Sequence, residues 1–113
     1  MAGRKIKVKL ILISVFLLLA TTAYSLTYQI RTQLVSVGVT ATKLPTTPLV
    51  GREYILVTNT DTVTVYIGAS NVNTTIGTPL FVNQRYYAEY DNTVDVYGII
   101  TAGNATVIVE EGK

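Results

Sequence analysis

Three acidic side chains form the densest cluster of groups that could do chemistry. Glu89, Asp91 and Asp95 lie close together in the sequence. Carboxylate oxygens are common ligands of Ca²⁺, which binds about six to eight oxygen atoms. Three carboxylates are too few for that number, and their spacing matches no EF-hand loop. Two carboxylates acting as the catalytic pair of a glycosidase would need a cleft for the sugar, and no other feature of the sequence indicates a cleft. We therefore predict no metal site and interpret Asp91 as the first residue of an Asx turn.

Histidine and cysteine, the usual side chains of reactive sites, do not occur among the 113 residues. The lack of cysteine excludes disulfide scaffolds, thiolate zinc sites and cysteine nucleophiles. The lack of histidine excludes the Ser-His-Asp triad and imidazole metal sites. No glycine-rich phosphate loop is present either. The sequence therefore predicts a protein that is not an enzyme and that binds no cofactor.

Tyrosine is the one unusual feature of the second half of the chain. Tyrosine is frequent at interfaces, so these residues are a candidate contact surface for a partner subunit, a host receptor or a glycan. Tyrosine also has a high β propensity, and packing on a sheet face is the favoured explanation, because aromatic residues are ordinary in strands. Adjacent tyrosines in a strand point to opposite faces, so at most one of Tyr86 and Tyr87 belongs in a core. The candidate residues are Tyr54, Tyr66, Tyr86, Tyr87, Tyr90 and Tyr97.

Two sequence motifs match the acceptor pattern for N-glycosylation. They begin at Asn73, in Asn-Thr-Thr, and at Asn104, in Asn-Ala-Thr. Both fall in predicted loops, and both remain candidates because modification depends on the host.

Charge is distributed unevenly along the chain. Four basic residues, Arg4, Lys5, Lys7 and Lys9, precede an uncharged stretch from Leu10 onward. The remainder carries five basic and seven acidic residues, which gives it a net charge of −2. A nucleic-acid-binding face needs clustered basic residues on the domain itself. We therefore expect no direct nucleic-acid binding by this part of the chain.

The stretch from Leu10 to Ile30 has no charged residue and is long enough to span a bilayer as a helix. The basic flank fits the positive-inside rule, which predicts a membrane anchor. The same features fit a signal peptide cleaved after Ser25, because the polar second half is unusual for a membrane span. A helix in the core of an assembly is a third interpretation. The hydrophobic helix residues are Leu10, Ile11, Leu12, Ile13, Phe16, Leu17, Leu18 and Leu19.

Beyond Ile30 the sequence has the pattern of short β-strands. Val63, Val65 and Ile67 alternate with polar or amphipathic residues, which is typical of strands with one buried face. Turn-forming triplets at 59–61, 91–93 and 102–104 predict hairpins, and the prolines are expected between strands. The predicted strands are Gln33–Thr42, Glu53–Asn59, Thr62–Gly68, Arg85–Tyr90, Val94–Ile100 and Thr106–Glu110.

These patterns predict an all-β fold, a small antiparallel sandwich or barrel preceded by one N-terminal hydrophobic α-helix. We divide the chain into residues 1–31, the basic flank with the helix, and residues 32–113, the β domain. Such a small domain buries a modest core, and few lysines protect its strand edges, so we expect it to associate with copies of itself. The first strand, before a proline-containing linker, is a candidate for donation to a neighbouring copy.

Part of the sequence resembles small phage and prophage virion-associated β-sandwich modules. The similarity rests on the hairpin motif Val65-Tyr-Ile-Gly68, the loop Gly77-Thr-Pro-Leu80 and the strand Val96-Tyr-Gly-Ile-Ile100, within Val50 to Glu111. The resemblance implies a head-fibre, decoration or tail-associated module that is not enzymatic and is often multimeric. The hydrophobic N-terminal segment departs from that pattern.

Together these features predict a virion coat or surface protein whose helix lies in a membrane or an assembly core and whose β domain faces outward. The alternative is a cellular exported adhesin or pilus-like filament subunit. A small secreted binding module with a cleaved signal is a third hypothesis. The expected location is the virion, the cell surface or the extracellular space, with membrane association through the N-terminal helix.

Overall fold

A computed structural model describes residues 28–113 of the chain, and this part is all β without a helix. Most of the hydrophobic stretch predicted as a helix, Leu10 to Ile30, lies outside the described residues, including the helix residues from Leu10 to Leu19. Its last residue, Ile30, is the first residue of β1. The eight strands are β1 (Ile30–Val37), β2 (Thr42–Leu44), β3 (Tyr54–Asn59), β4 (Val65–Gly68), β5 (Thr78–Leu80), β6 (Arg85–Ala88), β7 (Val96–Ile99) and β8 (Ala105–Gly112).

The strands form two four-stranded antiparallel sheets. The first sheet has the order β1-β8-β3-β6, and the second has the order β2-β7-β4-β5. The pairs are nested, since β1 pairs with β8, β2 with β7, β3 with β6 and β4 with β5. An eight-stranded hairpin that is folded in this way into two sheets is a jelly roll.

Alternation of side chains explains why these segments form strands with a common core. In β3, Ile55 and Val57 are buried while their neighbours are half-exposed, and in β8 the buried positions include Val107 and Val109. Inward-pointing aliphatic residues from both sheets form one cluster. The core therefore lies between the two sheets and is built mainly from β-branched residues, which suit a pleated surface.

All three predicted hairpins are wrong, because their turns connect strands of different sheets. The triplet at 59–61 leads from β3 to β4, the one at 91–93 from β6 to β7, and the one at 102–104 from β7 to β8. In each case the chain leaves one sheet and enters the other. Asparagine and glycine permit a change of chain direction, and this property does not distinguish a hairpin from a crossing between sheets.

Two short strands were not predicted, and both lie at sheet edges. β2 and β5 have three residues each, too few for a clear alternation. Pro79 lies inside β5, opposite Tyr66, which contradicts the prediction that all prolines fall between strands. Proline has no backbone N–H to donate. An edge strand tolerates it because the N–H groups on its outer side make no hydrogen bonds to another strand.

The first strand begins and ends earlier than its predicted range of 33–42. All eight residues of β1 pair with β8 of the same chain, from Ile30 opposite Gly112 to Val37 opposite Ala105. The structure thus places this strand within its own domain. The predicted range combined the second half of β1 with the connection that leads to β2.

Candidate functional site

The six candidate tyrosines occupy three separate places, beginning with the outward face of the first sheet. Tyr54 on β3 and Tyr87 on β6 have ring centroids 5.8 Å apart. The hydroxyl of Tyr54 donates a hydrogen bond of 3.2 Å to Glu110 Oε2. Tyr87 is 57% exposed, so this pair leaves aromatic surface open to a partner.

The outward face of the second sheet carries two further tyrosines. Tyr66 on β4 lies between Ile99 and Pro79, and Tyr97 on β7 lies between Lys43 and Gly68. Both are half-buried. They are on the opposite side of the fold from Tyr54 and Tyr87, so one flat partner could not contact all four.

The remaining two tyrosines line a cleft at one end of the core. The hydroxyl oxygens of Tyr86 and Tyr90 are 3.3 Å apart. The cleft has a volume of about 180 Å³, which is below the roughly 300 Å³ at which ligand pockets usually begin. Its lining residues are Gly68, Ala69, Tyr86, Tyr90, Val94, Asp95 and Val96.

The prediction for the adjacent pair Tyr86 and Tyr87 is confirmed. Tyr86 points inward and packs against the core cluster, whereas Tyr87 lies on the outward face. The structure does not bring the six tyrosines together on a single contact surface.

Alkaline titration gives a first prediction, because burial raises the pKa of Tyr86 to about 12, with a contribution from the hydrogen bond to Tyr90. Between the ordinary value of 10.0 and about 12, the folded state holds a proton that the unfolded state has lost. The contribution of Tyr86 to stability is thus complete below pH 10 and is lost as the pH rises to about 12. We expect Tyr86→Phe to flatten the fall in melting temperature over this range.

Thermal unfolding between pH 9 and pH 12 measures this effect. Tyr87→Phe is the matched control, because Tyr87 is on the same strand but exposed. Equal pH dependence in the wild type and in Tyr86→Phe would contradict the assignment.

The three clustered carboxylates have separate structural partners. Asp91 Oδ1 accepts hydrogen bonds of 2.8 Å from Thr93 N and 2.5 Å from Thr93 Oγ1, which confirms the Asx turn. These bonds hold the pKa of Asp91 below its ordinary value. Asp95 Oδ1 lies 3.3 Å from Lys43 Nζ, and Glu89 is exposed beside Tyr87. Within residues 28–113, no group of three or more potential ligands is arranged to hold a metal ion.

The two candidate glycosylation sites lie in exposed loops. Asn73 Oδ1 accepts hydrogen bonds from the backbone N–H groups of Thr75 and Ile76 at 2.8 and 2.9 Å, so its oxygen closes the loop between β4 and β5. Asn104 is exposed just before β8. Their positions are compatible with the acceptor motif, which remains a prediction.

A buried ion cluster, missed by the sequence analysis, joins the last strand to the rest of the fold. Glu111 and Arg52 are 1% and 2% exposed, and Glu111 Oε2 lies 3.0 Å from Arg52 Nη1. The other oxygen, Oε1, lies 2.5 Å from Arg31 Nη2. The backbone N–H of Leu49 also donates to Oε2 at 2.9 Å. A buried carboxylate needs this degree of compensation to remain charged.

Arg52 also fixes the loop between β6 and β7. Its Nε donates to the carbonyl oxygen of Tyr90 at 3.1 Å, and its Nη2 donates to the carbonyl oxygens of Asp91 and Val94 at 2.8 and 2.6 Å. The guanidinium therefore donates to three carbonyl oxygens of one loop; that of Asp91 also accepts a bond of 3.3 Å from the N–H of Val94. The cluster has a structural role, since all of these contacts are internal.

The alternation of buried and exposed residues in β8 could have predicted that Glu111 is buried. Val107 and Val109 are inward residues, and continuation of the period of two brings Glu111 to the same buried face. Reading the strand as ending at Glu110 concealed this position.

Asn59, at the end of β3, is the second buried polar centre. Its side-chain Nδ2 donates to the carbonyl oxygens of Val63 and Leu80, both at 2.8 Å. Its Oδ1 accepts a bond of 2.9 Å from the N–H of Asp61. Asn59 is 0% exposed, so it connects three chain segments where no solvent can replace these bonds.

Within residues 28–113, β1 is an edge strand, and its outer edge is the surface best suited to contact another molecule. Gln29 and Lys113 exchange two backbone hydrogen bonds of 3.0 and 2.9 Å. Because hydrogen-bonded and open pairs alternate along an antiparallel ladder, the odd-numbered residues of β1 bond to β8. The even-numbered residues direct their N–H and C=O groups away from the sheet. These residues are Ile30, Thr32, Leu34 and Ser36.

Residues 28–113 contain no helix that could span a membrane. The hydrophobic helix residues of the sequence analysis lie in the part of the chain that the structure leaves undescribed.

Comparisons with known proteins give no relative for this chain. No protein-family model matches it, and no curated protein or solved structure matches it at a significant level.

Proposed function

We propose that this chain is a non-enzymatic structural protein of a virion, a coat or surface protein present in many copies. In this proposal the N-terminal hydrophobic helix is embedded in a membrane or in an assembly core, and the β domain faces outward. The observation that carries the proposal is the nested strand pairing of a jelly roll, which is frequent in viral capsid domains. The argument compares the strand topology of this domain with that of viral capsid domains.

The chemistry of the chain favours a capsid-type role over the other common uses of a jelly roll. Cupins and lectins share this architecture, and they act through bound metals or sugars. The present chain has no histidine, and its buried ionic residues, Arg52 and Glu111, are engaged in internal contacts. A role in assembly requires only packing and exposed surface.

Two further features support repeated self-association. Charged residues make up only 14% of the chain, and large apolar side chains at the start of the domain are exposed, including Ile30 at 68% and Leu34 at 74%. Such surface is typically covered by a partner. The hydrophobic stretch that precedes Ile30 in the sequence would hold many copies on one membrane or in one core, and so raise their effective concentration.

Purification of native particles from cells that produce the chain tests the proposal. A density gradient, followed by immunodetection of the β domain and by nuclease treatment, should show the chain together with nuclease-protected nucleic acid. Intact mass of the particle-bound chain would also determine whether it begins at Met1 or has been cleaved after Ser25.

The other outcomes separate the remaining hypotheses. Recovery in filaments or cell envelopes without nucleic acid would favour the exported adhesin or filament subunit. Recovery as a soluble monomer that lacks the first 25 residues would contradict both assembly hypotheses.

A further inference from the structure

Among the four sheet edges in residues 28–113, β1 is the only long one without a protective residue. β6 has four residues and includes Arg85, while β2 and β5 have three residues each and include Lys43 and Pro79. Short length, charge and proline are the usual means by which proteins prevent edge pairing. β1 has eight residues, and its one charged side chain, Arg31, points inward to Glu111.

We propose that β1 pairs with β1 of a second copy of this chain, antiparallel and about a two-fold axis at Thr32. The proposal rests on the proposed function, because it identifies the surface through which copies associate. The partner is a second copy because the free edge is self-complementary. Ile30, Thr32, Leu34 and Ser36 are uncharged, so two such strands meet without repulsion, and each facing pair can exchange two backbone hydrogen bonds.

The register follows from matching apolar side chains. A two-fold axis at Thr32 places Ile30 opposite Leu34 of the second copy and Thr32 opposite Thr32, so that like surfaces meet on one face. An axis shifted by one residue, at Gln33, would place Ile30 opposite Ser36 and leave Leu34 beside Thr32. The first register covers both exposed apolar side chains, which are 68% and 74% exposed in the single chain.

Pairing in this register also extends an existing apolar row. Within one chain, Leu34 is opposite Ile108 of β8 on the outward face. In the pair, the row continues from Ile108 through Leu34 to Ile30 of the second copy. The two first sheets would thus form one continuous eight-stranded sheet, in which neither copy of β1 is an edge.

Cysteine cross-linking of the full chain tests this register, because the protein has no cysteine of its own. Thr32→Cys places the two thiols opposite each other at a Cα separation of about 5.5 Å, within the range of about 4.4–6.8 Å that a disulfide requires. With oxidised glutathione as the oxidant, two thiols lose two protons and two electrons to form the bond. We expect at least a tenfold higher yield of linked dimer than for Ser36→Cys.

Ser36→Cys is the matched control, an exposed position on the same face of the same strand. In the proposed register Ser36 lies opposite residue 28 of the second copy, so the two Ser36 positions are about 27 Å apart along the strand. Equal yields at the two positions, or no linked dimer at Thr32→Cys, would overturn the proposal.

A second pair of variants shows whether the edge itself drives the contact. Leu34→Lys in the Thr32→Cys background should reduce the cross-link at least tenfold, since lysine protects edges. Val50→Lys, a change of the same kind at a residue that is 76% exposed and outside every strand, should leave it unchanged. A cross-link that survives Leu34→Lys would also overturn the proposal.

Sedimentation of the same samples separates this inference from the proposed function. Assemblies that form without a cross-link at Thr32→Cys would refute the β1 contact and leave self-association standing. A chain that stays monomeric would refute both.

Discussion

Replacing Glu111 with glutamine is expected to destabilise the β domain by about 3–5 kcal/mol, the usual cost of removing one partner from a buried ion pair. Glutamine keeps the shape of the side chain but not its charge. Arg52 would then be a buried cation without its ion-pair partner, since Glu111 Oε2 lies 3.0 Å from Arg52 Nη1. Arg31 would lose the same partner. For a domain of this size, the loss corresponds to a decrease of more than about 10 °C in melting temperature.

Thermal unfolding followed by near-ultraviolet circular dichroism of the tyrosines measures this loss. Glu110→Gln is the matched control. It removes the neighbouring carboxylate, which is half-buried on the outward face and bonded to Tyr54. We expect the control to change the free energy of unfolding by no more than about 0.5 kcal/mol. Similar losses in the two variants would show that the buried cluster has no special role.

A double-mutant cycle distinguishes the ion pair from simple loss of packing. Arg52→Met alone should be strongly destabilising, because it leaves Glu111 buried beside Arg31 alone and the 90–94 loop without its donors. The combination of Arg52→Met with Glu111→Gln should cost less than the sum of the single changes. Additive losses would mean that the two side chains do not interact energetically.

Asn59→Asp is the second change for which we expect a large effect, about 3 kcal/mol or more. The substitution preserves size but replaces the Nδ2 donor by an oxygen that faces the carbonyl oxygens of Val63 and Leu80. Each carbonyl would lose its partner in a buried site, at a cost of about 1–3 kcal/mol apiece. A carboxylate in this position would also bring a charge into a site that is 0% exposed.

The dependence of this loss on pH provides an internal check. A protonated carboxylic acid can donate to one of the two carbonyls, so the folded variant should hold its proton more tightly than the unfolded one. The deficit relative to the wild type should therefore be smallest at acidic pH and should grow as the pH rises. Asn71→Asp, an exposed change in the β4–β5 loop, should show neither effect. A deficit that is constant with pH would contradict this account.

The all-β character of the second half could be predicted because its signals are local. Alternation in segments such as Val63–Ile67 reflects the period of a strand, which depends on the positions of neighbouring side chains alone. The six predicted strands all occur, with shifted ends, and the opposite orientations of Tyr86 and Tyr87 follow from the same geometry. The Asx turn at Asp91 is equally local, since its bonds reach only two residues along the chain.

The arrangement of strands in sheets could not be predicted from these signals. Each of the three turns predicted as hairpins crosses between sheets, because a turn residue fixes a local change of direction and not the strand that will be bonded next. The pairing of β1 with β8 joins residues about 70 to 80 positions apart. Contacts between residues so far apart in the sequence depend on how the whole chain buries its apolar side chains.

The same distinction applies to the surface and to the buried polar groups. Composition and the two-residue period of strands determined that this chain has an apolar N-terminal stretch of sequence followed by a strand-rich, lightly charged part. Tertiary packing decided that Arg52 and Glu111 are buried and that the tyrosines are divided among three places. It also decided that, among residues 28–113, β1 is an edge strand. The physical reason is that a residue type sets what a side chain can bond to, whereas only the folded chain determines which partners are within reach.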